Sequence, residues 1–147
     1  MTIVVLGKGI VGKTSMIYRF ITGNQLVNME GTIEDTYKST IKIDNDNIQI
    51  NILDTAGEED YQNLFDSWLR RADGIILAFA INDKESFEKL AEKYERIRKN
   101  EQVDEMKYPI VLVGNKCDLE DKRVVRRDEG ERLAETNRQV LSENYDF

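Results

Sequence analysis

A chain of 147 residues is long enough for one domain with a hydrophobic core and too short for two domains of ordinary size. Hydrophobic residues make up 40% of it and charged residues 33%, a composition that excludes an intrinsically disordered polymer. The 28 Asp and Glu outnumber the 21 Lys and Arg, and the net charge of -7 argues against nucleic acid as a partner, because such a surface repels phosphate backbones.

The first half of the chain predicts a strand, a helix and a hairpin, in that order. An apolar run at residues 3–6 predicts a buried strand, and hydrophobic residues at helical spacing after Gly12 predict a helix. Isoleucines then alternate with polar residues on either side of the segment 44–47, which consists of Asp and Asn. Alternation around such a turn segment is typical of a β-hairpin.

The second half continues the alternation of strands and helices. Residues 74–80 are continuously apolar and predict a central strand that is buried on both faces. Asn82 and Glu85 resemble a helix capping box, and a long amphipathic helix follows them.

One more strand and one more helix complete the pattern. Residues 109–114 form another apolar run, and a charged segment from Arg127 to about Thr136 predicts the last helix. Alternation of this kind predicts a single α/β domain over residues 1–147, with a mostly parallel sheet, one antiparallel edge hairpin and helices on both faces.

A glycine-rich loop joins the first predicted strand to the first helix. Residues 7–14 read Gly-Lys-Gly-Ile-Val-Gly-Lys-Thr and satisfy the phosphate-loop pattern G-x-x-x-x-G-K-[ST]. Glycines let backbone N–H groups surround an anion, and the following helix presents the positive end of its dipole. Lys13 is suited to neutralise β and γ phosphates, and the hydroxyl of Thr14 is suited to bind Mg²⁺. The residues predicted to contact a nucleotide here are Gly9, Ile10, Val11, Gly12, Lys13, Thr14 and Ser15.

The second motif, Asp54-Thr55-Ala56-Gly57, directly follows a predicted strand. Open α/β sheets bind ligands at the carboxyl ends of their strands, so the carboxylate of Asp54 is suited to hold Mg²⁺ through water. Gly57 lets a backbone N–H approach a terminal phosphate, a contact that exists only while that phosphate is present.

The third motif, Asn115-Lys116-Cys117-Asp118, follows the last long strand. The carboxylate of Asp118 can accept hydrogen bonds from N1–H and the 2-amino group of guanine, which adenine does not offer, so GTP is favoured over ATP. Lys116 could lay its alkyl stem along the base, and Asn115 could tie this loop to the phosphate loop. Taken alone, the three motifs also describe a glycine turn, an acidic turn and a polar loop at a strand end. A P-loop ATPase or kinase would account for the first motif and leave Asp118 unexplained.

The three motifs occur in the order and strand context of one protein family, and the sequence resembles a small GTPase of the Ras superfamily. The resemblance runs from Thr2 to about Ala134 and is closest to the Ras/Rap-like branch, whose effector segment matches Thr-Ile-Glu-Asp-Thr-Tyr at residues 32–37. It implies a P-loop NTPase fold of the Ras-like G-domain type. It also implies a molecular switch in signal transduction that hydrolyses GTP to GDP with Mg²⁺.

The resemblance also implies roles for individual residues. Thr32 is expected to close onto Mg²⁺ and the γ phosphate, so the implied metal ligands are Thr14, Thr32 and Asp54. The implied catalytic residues are Lys13, Thr32, Gly57 and Glu58. The implied nucleotide contacts are residues 9–15 together with Thr32, Asp54, Gly57, Asn115, Lys116 and Asp118.

Glu58 departs from the family pattern, in which a glutamine follows the glycine of the second motif and orients the attacking water. A carboxylate removes the amide donor and adds negative charge near phosphate, yet it could also accept a proton from that water. Alternatively, Glu58 is only part of a solvated acidic run with Glu59 and Asp60. The rival function is therefore a nucleotide-binding signalling module with impaired hydrolysis.

Other departures concern the base, the first switch and the C-terminus. Gln25 stands where an aromatic residue usually flanks guanine, which predicts faster nucleotide loss, and Gly31 replaces a proline, which predicts a looser switch segment. The family's Ser-Ala-Lys loop, final strand and final helix are expected beyond Phe147. We therefore expect part of a longer protein, in which the strand at 109–114 keeps an open edge.

The resemblance implies exchange factors, GTPase-activating proteins and effectors as partners, which bind through residues 25–37 and 55–68. Glu34 and Asp35 lead into an edge strand, where an effector could add a strand and offer basic residues; alternatively, these acids only protect the edge from aggregation. The single cysteine, Cys117, is expected to be a small packed side chain and is typical of a reducing, cytoplasmic compartment. Attachment to the cytoplasmic face of a membrane would require a C-terminal tail beyond this chain.

Overall fold

The computed structural model describes residues 1–24, 34–57, 62–99, 109–136 and 140–143, and within these ranges strands and helices alternate. The strands are β1 (Thr2–Leu6), β2 (Glu34–Ile43), β3 (Asp46–Thr55), β4 (Gly74–Ala80), β5 (Ile110–Asn115) and β6 (Val140–Glu143). The helices are α1 (Lys13–Thr22), α2 (Gln62–Arg71), α3 (Lys84–Lys99) and α4 (Arg127–Thr136), and a 3₁₀ segment covers Cys117–Lys122. None of the helices in these ranges combines the length and the apolar character that a bilayer crossing demands.

The strands form one mixed sheet in the order β2-β3-β1-β4-β5-β6. β2 and β3 are antiparallel, and the other neighbouring strands are parallel. Parallel neighbours need long crossover connections, and α2, α3 and α4 each lie between consecutive strands of the parallel part. The prediction of a mostly parallel sheet with one antiparallel edge hairpin is confirmed.

The hairpin of β2 and β3 closes at the predicted turn. Ile43 pairs with Asp46, so Asp44 and Asn45 form the connection, and Asp44 adopts the left-handed backbone conformation with a φ of 54°. Aspartate tolerates this conformation better than a branched apolar residue does. β2 has β3 as its neighbour on one side and is therefore the edge strand that the sequence predicts.

The sixth strand corrects one prediction. The sequence predicts that the final strand is missing and that β5 keeps an open edge, but β6 pairs in parallel with β5, from Val111 with Val140 to Gly114 with Glu143. A strand of four residues is too short to show a hydrophobic period, so only its partner identifies it. α4 returns the chain to the sheet, and β6 then satisfies the backbone groups at the edge of β5.

Two hydrophobic clusters cover the two faces of the sheet. One cluster contains buried side chains from α2, α3 and α4, including Trp68, Leu90 and Ala134. The other joins Ile17 of α1 to Val5 of β1 and to residues of β3. Because each cluster lies between the sheet and helices, the predicted placement of helices on both faces is confirmed.

The first turn of α3 is capped one residue later than predicted. The carboxylate of Asp83, rather than the side chain of Asn82, accepts the backbone N–H of Ser86, with 3.1 Å between Oδ1 and N. The hydroxyl oxygen of Ser86 in turn accepts the backbone N–H of Ala80 at 3.0 Å. This bond ties the helix to the end of β4.

Candidate functional site

The three sequence motifs meet at one edge of the sheet. β1 is parallel to β3 and β4, and β4 is parallel to β5, so the carboxyl ends of these strands lie on the same side. The glycine loop follows β1, Asp54 lies near the end of β3, and Asn115 ends β5. Open α/β sheets bind their ligands at this edge.

Lys13, the first residue of α1, is almost completely buried, with 6% of its surface exposed. Its ammonium group donates to the carbonyl oxygens of Gly7 at 2.9 Å and Lys8 at 3.1 Å, so it lies across the glycine loop. Burial lowers the pKa of Lys13 to about 8, and the nearby Asp54 carboxylate opposes that change. An anionic neighbour stabilises the charged form of a desolvated ammonium group, so this loop is suited to bind phosphate.

The carboxylate of Asp54 is fully buried beside the start of α1. Its Oδ2 accepts the hydroxyl of Thr14 at 2.5 Å, whereas Oδ1 has no hydrogen-bond partner among the residues that the structure describes. Burial raises the pKa of Asp54, while the Thr14 hydrogen bond and the Lys13 charge oppose the rise. Mg²⁺ prefers hard oxygen ligands and keeps several of its bound water molecules. The buried Oδ1 of Asp54, without a donor among the described residues and next to the Thr14 hydroxyl, fits that preference.

Gly57 packs directly against the glycine loop. A Cβ atom at residue 57 would lie 2.5 Å from both the N and the Cα atom of Gly9, closer than non-bonded atoms approach. Only glycine lets the two backbone segments come together in this way. The contact brings the second motif to the phosphate loop.

Asn115 joins strand β5 to the phosphate loop. Its Nδ2 donates to the carbonyl oxygens of Val11 at 2.9 Å and Gly12 at 3.1 Å. Gly12 has a φ of 94°, and a Cβ atom there would lie 2.4 Å from Asn115 Nδ2, so the contact depends on glycine. The tie that the sequence predicts between these two loops is therefore confirmed.

The loop after β5 presents the carboxylate of Asp118 at the surface. Lys116 is half-buried and adopts a left-handed conformation, with a φ of 67°, directly before the 3₁₀ segment. Cys117 packs against the core and its thiol donates to the carbonyl of Gly114 at 3.6 Å, in agreement with its predicted packing role. Asp118 itself is exposed. It is therefore accessible to a ligand, three residues after Asn115.

Of the remaining predicted site residues, the structure describes Ile10 and Ser15 but not Thr32 or Glu58. Thr32 and Glu58 lie outside the described residues, and so do the departures predicted for the first switch. Ile10 is 92% exposed at the phosphate loop and has a φ of 67°, which is an unusual conformation for a β-branched residue. Ser15 is half-buried in the first turn of α1.

Sequence reasoning missed an ionic contact next to the phosphate loop. Lys8 occupies a variable position of the loop pattern, and its ammonium group lies 3.1 Å from a carboxylate oxygen of Asp83 and 2.6 Å from one of Glu85, at the start of α3. These partners are 75 and 77 positions away in the sequence, and no motif or hydrophobic period connects them.

A second missed contact joins β2 to α2. The carboxylate of Glu34 accepts hydrogen bonds from the indole N–H of Trp68 at 2.6 Å and from the guanidinium group of Arg71 at 2.7 Å. The bond from Arg71, followed by that from Trp68, lowers the pKa of Glu34. Glu34 is thus engaged within the chain, and Asp35 is an exposed acid beside it on the edge strand.

Comparison with known proteins agrees with this arrangement. A sequence model described as the Ras family matches residues 2–144. The chain is also 40% identical over 132 residues to protein ras-1 of Neurospora crassa, an alignment that covers 90% of this chain. It spans 61% of the length of that relative. Since the family match extends over nearly the whole sequence, the chain belongs to the Ras family.

Proposed function

We propose that this chain binds GTP and GDP together with Mg²⁺ and acts as a molecular switch that hydrolyses GTP. The observation that carries the proposal is the pair of hydrogen bonds from Asn115 to Val11 and Gly12, because it joins the loop suited to select a base to the loop suited to hold phosphate. Asp118 follows Asn115 by three residues, and Lys13 directly follows Gly12. We therefore expect one nucleotide to contact both loops.

The phosphate groups would be held by backbone N–H groups of the glycine loop and by the ammonium group of Lys13. Thr14 and Asp54 would hold Mg²⁺, with Thr32 as the further ligand that family membership suggests. The ion supplies positive charge that offsets the charge of the phosphate oxygens. The buried Oδ1 of Asp54, which has no hydrogen-bond partner among the described residues, supports this assignment, because a cation offsets the cost of burying it.

Hydrolysis of GTP requires the protein to position water and to stabilise charge, with little covalent chemistry of its own. In this proposal Lys13 stabilises charge on the transferred phosphoryl group, and Thr32 and Gly57 contact the γ phosphate. Glu58 would lie next to the attacking water. The packing of Gly57 on Gly9 supports these roles, since it holds the second motif at the phosphate loop.

The switch would act through the segments that contact the γ phosphate. When that phosphate leaves, residues 25–37 and 55–68 lose contacts and change the surface that partners recognise. Exchange factors, GTPase-activating proteins and effectors are the partners expected for these segments. We also propose a cytoplasmic location, with any membrane attachment through a C-terminal tail.

Nucleotide binding is the first test of the proposal. Nucleotide that co-purifies with the protein is identified, and the affinities for GDP, GTP and ATP are then measured with and without Mg²⁺. We expect GDP or GTP in the purified protein and binding of ATP that is weaker by about 100-fold or more. Equal affinity for ATP and GTP would support a P-loop ATPase or kinase, and a chain that binds none of them contradicts the proposal.

Single-turnover measurements of GTP hydrolysis test the proposed catalytic activity against the rival function, a nucleotide-binding signalling module with impaired hydrolysis. GTP cleavage is measured for the unchanged chain and for Glu58→Gln, alone and with a GTPase-activating protein of a Ras-family member. Glu59→Gln is the matched control, because it removes the same charge one residue away. Rapid stimulated turnover in the unchanged chain rejects the rival. Slow turnover that only Glu58→Gln restores supports a signalling module with impaired hydrolysis.

A further inference from the structure

Lys8 lies at a position that the phosphate-loop pattern leaves open to any residue, yet it makes contacts on two sides. Its carbonyl oxygen accepts the Lys13 ammonium group at 3.1 Å, while its own ammonium group reaches Asp83 at 3.1 Å and Glu85 at 2.6 Å. Asp83 also caps α3 by accepting the N–H of Ser86. Lys8 therefore connects the group suited to hold phosphate with the first turn of α3.

The rest of the glycine loop is attached to the sheet at its two ends. At the start, a Cβ atom on Gly7 would lie 2.3 Å from the carbonyl oxygen of Ala78, so the backbone packs closely on β4. At the end, the amide of Asn115 holds two loop carbonyls. Lys8 adds an ionic attachment between these two points, and this attachment leads to a helix rather than to the sheet.

We propose that Lys8 is a positioning residue for nucleotide binding, because its ion pairs with Asp83 and Glu85 hold the loop and the Lys13 ammonium group in the arrangement that phosphate requires. The inference rests on the proposed function, since it concerns the rate at which the loop releases a nucleotide. A loop that is ordered before binding loses less conformational freedom when it binds. The attachment to α3 therefore slows nucleotide dissociation.

A simple charge effect predicts the opposite result when the two acids are neutralised. Asp83 and Glu85 are negative and are in contact with a residue of the phosphate loop, so their removal should strengthen the binding of an anion if only Coulomb energy matters. Loss of the attachment instead loosens the loop. The double substitution Asp83→Asn with Glu85→Gln separates the two explanations and keeps Lys8 charged. Asparagine can still accept the N–H of Ser86, so the helix cap is retained.

The experiment measures the dissociation of fluorescently labelled GDP from the full chain in the presence of Mg²⁺. We expect the double variant to release GDP roughly three- to tenfold faster, as fits the loss of two partly exposed ion pairs, and Lys8→Met to behave in the same way. Lys89→Met is the matched control, because Lys89 also pairs with Glu85, at 3.2 Å, but lies outside the phosphate loop. Its rate should equal that of the unchanged chain. High salt should reduce the difference between the unchanged chain and the double variant.

Unchanged or slower dissociation in the double variant overturns the role of Lys8. An equal acceleration by Lys89→Met also overturns it, because two changes of opposite charge would then have the same effect, which indicates a general disturbance of α3 and not the loss of the attachment of the loop. If the unchanged chain binds no guanine nucleotide, the proposed function fails, whereas binding with equal rates in all variants contradicts the role of Lys8 alone. Should the double variant not fold, Glu85→Gln provides the same test at the shorter of the two contacts.

Discussion

The candidate site has two halves that are built differently. The phosphate half consists of the glycine loop with Lys13 and Asp54, and these two charged groups are buried and bonded within the chain. The base half, Lys116 to Asp118, presents an exposed carboxylate. Buried charges influence folding as well as binding, whereas an exposed charge influences mainly binding. We therefore expect changes in the phosphate half to alter stability and affinity together, and changes in the base half to alter base selectivity alone.

The largest effect is expected at Asp118. Replacement Asp118→Asn exchanges one of the two carboxylate acceptor oxygens for an amide donor, so N1–H and the 2-amino group of guanine no longer both find an acceptor, and the preference for GDP over ADP should fall by about 10³-fold. The free energy of unfolding of the nucleotide-free chain should change by less than about 0.5 kcal/mol, because the side chain is exposed. Competition binding and thermal unfolding measure the two quantities. A marked loss of stability would contradict the distinction between the halves.

Asn115 connects the two halves, so its replacement should lower both the stability of the chain and its affinity for nucleotide. Replacement Asn115→Ala removes the donor to two loop carbonyls, so we expect a loss of about 1–3 kcal/mol in the free energy of unfolding. Affinity for GDP and for ADP should fall together, since the phosphate loop is common to both. Urea denaturation and direct binding measure these effects, with Asn47→Ala, an exposed asparagine of β3, as the matched control. Lost stability with unchanged affinity would show that the halves act independently.

Asp54 should show opposite effects on stability and binding. Replacement Asp54→Asn removes a buried charge whose Oδ1 has no partner among the described residues, so the nucleotide-free chain should gain about 1–2 kcal/mol in the free energy of unfolding. The same change should abolish the increase in GDP affinity that Mg²⁺ produces. Unfolding with a metal chelator and GDP titrations at several Mg²⁺ concentrations measure these effects. A variant that is less stable than the unchanged chain would argue against an unfavourable buried carboxylate.

The smallest expected effect is a pH dependence that originates at Lys13. Burial lowers its pKa from 10.5 to about 8, so between these values the folded chain binds fewer protons than the unfolded chain. The buried charge of Lys13 therefore lowers the free energy of unfolding fully below about pH 8, and this loss of stability disappears as the pH rises toward 10.5. Phosphate favours the charged form, so GDP affinity should fall by about three- to tenfold between roughly pH 8 and pH 9.

The control for this pH dependence is Lys13→Arg, because arginine keeps its charge throughout the range. Titrations of GDP at each pH are compared between the unchanged chain and this variant, since ionisation of the guanine base affects both alike. We expect the variant to lose only the part of the dependence that belongs to Lys13. Identical pH profiles would show that its ionisation does not control binding.

Much of the fold could be predicted because its signals are local. The continuous apolar run of β4 and the helical spacing of α3 identify their elements without knowledge of their neighbours. α2 and β6 could not be predicted in this way. β6 has four residues, and its pairing with β5 shows why the predicted open edge was wrong. The cap of α3 also lies one residue later than predicted, because the carboxylate of Asp83 accepts the N–H of Ser86.

In the candidate site too, contacts that local motifs indicate could be predicted, and contacts between distant segments could not. The contact from Asn115 to the phosphate loop was expected, because both motifs follow parallel strands whose ends lie at one edge. The hydrogen bonds from Trp68 and Arg71 to the carboxylate of Glu34 were not expected. Glu34 is bonded within the chain, whereas the sequence interpretation treated Glu34 and Asp35 alike, as acids for a partner or for protection of the edge strand. The roles of Thr32 and Glu58 stay predictions.

The sequence by itself determined the order of strands and helices, the glycine loop and the types of side chain at the strand ends, because spacing and residue chemistry act over short stretches of chain. Only the tertiary structure decided which distant groups meet, such as Lys8 with Asp83 and Glu85. It also decided that Lys13 and Asp54 are buried, and with that the directions in which their pKa values change. Desolvation and long-range pairing depend on every element that covers a group, and no local pattern contains that information.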